Sequence, residues 1–199
     1  MSDNVEKKST ATGLDVCVFY VFLFIFLVIT DQFIKKIIVD NIDYGGQIDV
    51  IKNFFSLYYV RNTGSAFSLF ADKAWGIYFL TGISVVLGIV IFILMIIASK
   101  HKMKLISLAF CLLSSGAIGN LIDRIRLKYV VDYLRFDFGS YTFPIFNFAD
   151  ICAVVGTILL IAIILIASKY FEEFWNILFK KKQKPVEEDQ EKETVENAD

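Results

Sequence analysis

The sequence predicts an all-α membrane protein: four transmembrane helices with a small extracytoplasmic β-structure between helices 1 and 2. Three observations predict it. More than half of the 199 residues are hydrophobic, more than a soluble domain of this size would use. Four apolar stretches approach the roughly 20 residues that a helix needs to cross the hydrocarbon layer. The charged residues stay out of the middle of those stretches and gather at their ends or between them.

Residues 1–13 are polar and read as a cytoplasmic tail. The apolar run that follows, Leu14 to Thr30, is not succeeded by a small-residue cleavage site, so it is kept as the first span and not as a secretory leader. Residues 39–73 form a long connection. Within it, Phe54-Phe55-Ser56-Leu57-Tyr58-Tyr59-Val60 has the aromatic and β-branched content of a strand. Gly45-Gly46 and Asn62-Thr63-Gly64 punctuate it as turns, which puts the β-structure around 45–70. Trp75 to Ala98 is uninterrupted by charge and is the surest span. Residues 99–104 are a basic turn. Leu105 to Ile122 is the span most diluted by polar side chains, with Ser114, Ser115, Gly116 and Asn120; such a face looks toward other helices or a cavity. Residues 123–150 make a second long connection, and Ile151 to Ala167 is the fourth span. Over 168–184, aromatic residues mixed with Lys180, Lys181 and Lys182 suggest a helix lying on the bilayer surface. Residues 185–199 are acidic and nearly free of apolar side chains, the composition of a disordered tail.

Four spans place both termini on one side. The lysine-rich turn at 99–104, Lys7, Lys8 and the lysines after the fourth span assign that side to the cytoplasm. Arg124, Arg126, Lys128 and Arg135 fall on the other side and weaken the asymmetry. The two long connections then face outward. A formal net charge of −1 gives no reason to expect a nucleic-acid partner. Cys17, Cys111 and Cys152 lie in apolar spans at spacings that match neither a metal knuckle nor a disulfide framework. The one histidine, His101, sits in the basic turn, far from where a Ser-His or Cys-His nucleophile would need it. No metal site and no cofactor is expected.

Polar residues gather in four clusters on the predicted outer side: Asp31 with Lys35, four apart on one helical face; Arg61-Asn62-Thr63-Gly64; Asn120, Asp123 and Arg124, followed by Asp132; and Asn147 with Asp150, three apart. Two carboxylates can activate water. One accepts the proton of the water and the other donates a proton to the scissile carbonyl, since two held close together cannot both ionise cheaply. The acidic candidates near the outer boundary are Asp31, Asp123, Asp132, Asp137 and Asp150. Chemistry alone does not choose among them.

The series Asp31-Gln32-Phe33-Ile34-Lys35, Arg61-Asn62-Thr63-Gly64-Ser65-Ala66-Phe67, Gly116-Ala117-Ile118-Gly119-Asn120-Leu121-Ile122-Asp123-Arg124, Val130-Val131-Asp132-Tyr133 and Phe146-Asn147-Phe148-Ala149-Asp150 resembles the bacterial lipoprotein signal peptidase family (signal peptidase II). Each motif alone is weak; the ordered set, at matching places relative to four spans, is specific. The resemblance runs from about 14 to 167 and implies a membrane peptidase domain over those residues with an outer β-cradle. It implies an aspartic endopeptidase that removes signal peptides just before a diacylglyceryl-modified cysteine, with Asp132 and Asp150 as catalytic dyad. Asn62, Asn120, Arg124 and Asn147 match positions that shape or polarise the site, and Gly64, Asp123, Asp31 and Lys35 join them as site-shaping candidates. The implied partners are lipidated prolipoproteins and membrane lipids, and the chain is read as a monomer. Ser115 departs from the pattern where a second glycine is common, and Tyr133 where Phe is common.

Each motif also has a structural reading. Asp31 and Lys35 can be an ion pair closing a helix end, Asp123 a support, and Gly116 and Gly119 close helix-packing positions. Asp150 can stabilise the first turn of its helix. Two rival functions remain: a small four-span transporter, whose polar path should continue through the membrane, and a non-enzymatic scaffold, which leaves the one-sided gathering of acids and amides unexplained.

Overall fold

The computed structural model describes residues 12–63 and 76–179. The expectations for Gly64, for most of the N-terminal tail and for 185–199 lie outside those residues. The chain runs α1 (Gly13–Asn41), β1 (Gln47–Ile51), β2 (Phe55–Asn62), α2 (Gly76–Lys100), α3 (Lys104–Leu127), β3 (Val130–Phe138), β4 (Tyr141–Thr142), α4 (Phe148–Ile166) and α5 (Ser168–Phe179). Helices α1 to α4 are each long and apolar enough to cross a membrane.

Helix α1 starts at a reciprocal cap in which the Thr12 hydroxyl accepts from the Asp15 N–H and the Asp15 carboxylate accepts from the Thr12 N–H. It does not stop near Thr30. It continues a further three turns, so Asp31 and Lys35 lie inside the helix and not at its end. The apolar count finds where a chain can sit in lipid, but backbone hydrogen bonding continues as long as other elements cover the polar turns. Helix α3 is the reverse case. By composition it is the least convincing span, yet 56% of its most apolar window is buried against 17–22% for the other three. Its serines and glycines make it the central post of the bundle, where small side chains let neighbours approach. A Cβ on Gly116 would collide with the carbonyl oxygen of Ala149, and one on Gly156 would sit 2.9 Å from the Ala109 carbonyl oxygen. These glycines are therefore close-packing positions between α3 and α4.

The sheet has the order β1-β2-β3-β4, antiparallel throughout. Only β1 and β2 come from the connection between α1 and α2. Strands β3 and β4 come from the connection between α3 and α4, which corrects the expectation that the β-structure belongs to the first connection alone. The alternation of Leu134, Phe136 and Phe138 with Arg135 and Asp137 is a period-two pattern, and it is the signal in the sequence for β3. The turn at Gly45 has φ +78°, which glycine adopts without steric cost.

Two apolar cores result. One, with Tyr20, Met95, Met103, Ile106, Phe110 and Phe174, fills the end of the bundle near the 99–104 turn. The smaller one, with Ile38, Ile42, Tyr59, Val131 and Tyr133, seats the sheet on the far end of α1.

Candidate active site

The site is assembled where α4 begins. Asn147 caps α4: its side-chain oxygen accepts from the Asp150 N–H at 3.0 Å, and the Asp150 carboxylate accepts from the Asn147 N–H at 3.1 Å. A helix start leaves its first N–H groups without intrahelical partners, and here, away from bulk water, each finds a side chain. The Phe148 N–H donates to the Tyr133 hydroxyl at 3.2 Å and the Ala149 N–H to Asp31 Oδ1 at 3.0 Å. Asp31 thus serves the first turn of α4, a role its position in α1 did not reveal.

Strand β3 brings in Asp132. Val60 lies opposite Asp132 and Asn62 opposite Val130, so Asn62 and Asp132 are diagonal neighbours on one face. The Asn62 amide donates to Asp132 Oδ2 at 2.9 Å, and the Asn147 amide donates to Asp132 Oδ1 at 2.7 Å. The Asn147 amide also reaches Asn120 Oδ1 at 3.0 Å, and the Asn120 amide donates to Asp150 Oδ1 at 2.8 Å. Two asparagines therefore join the two aspartates. Asp132 is 3% exposed. Burial pushes its carboxyl up to about 7, the charge of Asp150 adds to the rise, and the amide donors Asn62 and Asn147 oppose it.

Behind the aspartates stands a buried cation. Lys35 Nζ lies 2.9 Å from Asp31 Oδ2, 2.9 Å from Asp123 Oδ2 and 3.0 Å from Asn120 Oδ1. An ammonium has three protons, and all three have an acceptor. Asp123 Oδ2 also accepts from the Val131 N–H at 3.1 Å and so fixes the start of β3. The ammonium and its two carboxylates are almost fully buried. A Cβ on Gly119 would stand 2.7 Å from Asp31 Oδ2, so that glycine makes room for the cluster. Gln32, which the sequence reading did not single out, donates to Gly119 O at 3.1 Å and to Asp123 Oδ1 at 3.0 Å. Its place beside Asp31 in the first motif was the only signal.

Two predicted neighbours behave differently. Arg61 turns away from the aspartates; its guanidinium lies over the rings of Tyr44, Tyr59 and Tyr129 at 4.8, 5.8 and 5.1 Å. The alternation of side chains along a strand puts Arg61 and Asn62 on opposite faces. Arg124 lies within electrostatic reach of Asp150, Asp132 and Asp123, yet among the described residues it makes no ion pair within 4 Å and its buried Nε has no hydrogen-bond partner. No Arg124–aspartate pair forms among the described residues. Asp137 is outside the site, bound by Arg135 at 3.0 Å and by Thr142, and these contacts hold its carboxyl below the usual range.

Four membrane-length helices with one end closed around two aspartates, their amide donors and a lysine define an integral membrane protein with a buried polar cluster at one end of its bundle. Residues 23–166 match the family model described as signal peptidase (SPase) II. Lipoprotein signal peptidase of Clostridium tetani is 42% identical over 139 residues, covering 69% of this chain and 86% of that protein. The protein of the same name from Latilactobacillus sakei is 38% identical over 151 residues, covering 75% and 95%. A solved bacterial membrane enzyme, determined by the in meso method at 1.9 Å, superposes with a TM-score of 0.64 at 31% identity, covering 74% of this chain and 92% of its own. The chain belongs to the signal peptidase II family, and with that it is a membrane-embedded protease.

Proposed function

We propose that the protein removes signal peptides from diacylglyceryl-modified prolipoproteins by aspartic catalysis, cutting before the lipidated cysteine. The observation that carries this reading is the hydrogen-bonded chain Asp132–Asn147–Asn120–Asp150 at one end of the bundle. Asp150 accepts from the Asn120 amide and from the Asn147 N–H at the start of α4, within reach of the second carboxyl through two asparagines. Burial holds the Asp132 proton to higher pH than an ordinary carboxyl keeps it. Asp150 takes a proton from the attacking water while Asp132 gives its proton to the scissile carbonyl oxygen. The resulting gem-diol collapses as its hydroxyl proton returns to Asp132, the C–N bond breaks, and the leaving nitrogen receives the proton held by Asp150. Both carboxyls end as they began.

Lys35 sets the stage through Asn120. By holding Asn120 Oδ1, it leaves the amide N–H pointing at Asp150. Arg124, without an ion-pair partner among the described residues and within electrostatic reach of both aspartates, serves to polarise the bound peptide. The acyl chains of the substrate stay in the bilayer, so the site need not supply the roughly 0.8 kcal/mol per CH₂ of burying them. Recognition falls to the shape around the modified cysteine, with Asn62 and Asn147 at hand. The aspartate end faces outward from the cytoplasmic membrane and both termini face the cytoplasm.

The test is incubation of the purified protein in detergent with a diacylglyceryl-modified prolipoprotein and its unlipidated form. Cleavage before the modified cysteine, slower by at least about tenfold without the lipid, is expected. An intact lipidated precursor would remove the function, and equal rates would remove the lipid from recognition. In cells without the native cysteines, Asn53→Cys should react with an impermeant thiol reagent from outside and His101→Cys only after the membrane is opened; the reverse pattern would invert the topology.

A further inference from the structure

Helix α5 lies beyond residue 166, where the family match ends. We propose that α5 is an in-plane anchor that binds the anionic lipid headgroups of the leaflet opposite the aspartates. The position follows from length. Helix α4 has 19 residues, which at 1.5 Å each span about 28 Å, close to the roughly 30 Å hydrocarbon layer. Since Asp150 sits in its first turn, Ile166 reaches the other boundary. There the chain breaks at Ala167, whose carbonyl accepts from the Tyr170 and Phe171 N–H groups as α5 starts.

The faces of α5 then divide. Tyr170, Phe171, Phe174, Ile177 and Leu178 return to one face at helical spacing and pack into the apolar core near the 99–104 turn. Phe174 is 2% exposed and its ring centroid is 5.6 Å from that of Phe110. Beside that face, Trp175 and Phe179 are 54% and 63% exposed and lie ring against ring, centroids 4.3 Å apart. A large exposed aromatic pair at a hydrocarbon boundary matches the interfacial preference of tryptophan. The other arc carries Lys169, Glu172, Glu173 and Asn176 and is exposed. The occupant is fixed by charge. The turn that α5 packs beside supplies Lys100, Lys102 and Lys104, and Lys180, Lys181, Lys182 and Lys184 follow α5 in sequence. The exposed lysines of that turn complement an anionic leaflet.

Trp75 and Trp175 are the only tryptophans of the chain, so a Trp75→Phe variant of the full-length protein reports α5 alone. It is reconstituted in phosphatidylcholine vesicles containing brominated phosphatidylglycerol or, at the same fraction, brominated phosphatidylcholine, with bromine near or far from the headgroup. Quenching of Trp175 should be strongest with bromine near the headgroup. It should be about twofold greater from phosphatidylglycerol than from phosphatidylcholine, the excess fading when salt is raised to about 0.5 M. Quenching that is absent or strongest from deep bromine overturns the interfacial placement, including the case of a second copy covering the pair. Equal quenching by the two headgroups overturns the anionic assignment.

Discussion

At the end of the bundle near the 99–104 turn, α1, α2, α3 and α5 meet through Tyr20, Met95, Ile106, Phe110 and Phe174. At the other end α1, α3 and α4 meet through Asp31, Lys35, Asn120, Asp123, Asn147 and Asp150. The first contact set is non-directional and can repack around a changed side chain. The second is directional: nearly every donor has one acceptor at a set distance, and removing one leaves another buried without a partner. In lipid, where apolar side chains gain little by leaving their neighbours for one another, the polar end fixes which geometry the helices adopt, and the apolar end holds them there.

Five substitutions, with their controls, separate the two ends. The largest effect is expected for Asp132→Asn and Asp150→Asn, each lowering the cleavage rate by roughly 10²–10⁴-fold with the protein still inserted and folded. Asp137→Asn, whose partners are Arg135 and Thr142, should leave the rate near wild type. Next is Lys35→Met. It strands two buried carboxylates, at a cost of about 3–5 kcal/mol, visible as a lowered Tm in detergent. A Lys35→Met/Asp123→Asn double variant should recover part of that Tm but not kcat, because Asn120 is still released. Recovery of both would make Lys35 a stability residue only.

At the apolar end, Phe174→Ala should cost about 3 kcal/mol from the emptied space and leave kcat unchanged in the folded fraction. A loss of kcat there would mean that the two ends are coupled. The smallest effect belongs to Gly119→Ala. The added methyl meets Asp31 Oδ2 at 2.7 Å and Ala149 at 3.1 Å, so about 1–3 kcal/mol of stability is lost, with a drop in rate that Gly88→Ala, whose nearest contact is the flexible end of Ile118, should not show.

The spans were legible because hydrocarbon demands uninterrupted apolar length, and α2 and α4 have little else. Their ends were less so: α1 runs to Asn41 because the sheet and the buried ion cluster cover its polar turns, a tertiary effect that hydropathy does not carry. Strand β3 was hidden inside a connection whose charges drew attention to chemistry instead of alternation. The ordered motifs brought forward nearly all the polar residues that the fold gathers. What they left out was direction. Nothing local says that Asn62 turns inward while Arg61 lies on tyrosines, or that Asp31 serves the start of another helix, because those facts belong to strand register and helix packing.

The shared proton is the most direct point of attack. In the proposed mechanism Asp132 must be protonated to donate to the carbonyl, and burial holds its carboxyl up to about 7. The same rise makes the folded state the stronger proton binder, so stability should fall as pH climbs from about 4 through about 7 and then level off. The deciding measurement is the pH dependence of kcat for a lipidated prolipoprotein in detergent. The rate should fall about tenfold per pH unit once the pH is well above 7, as the Asp132 proton is lost. A rate that stays level from about pH 6 to about pH 9 would contradict Asp132 as the proton donor.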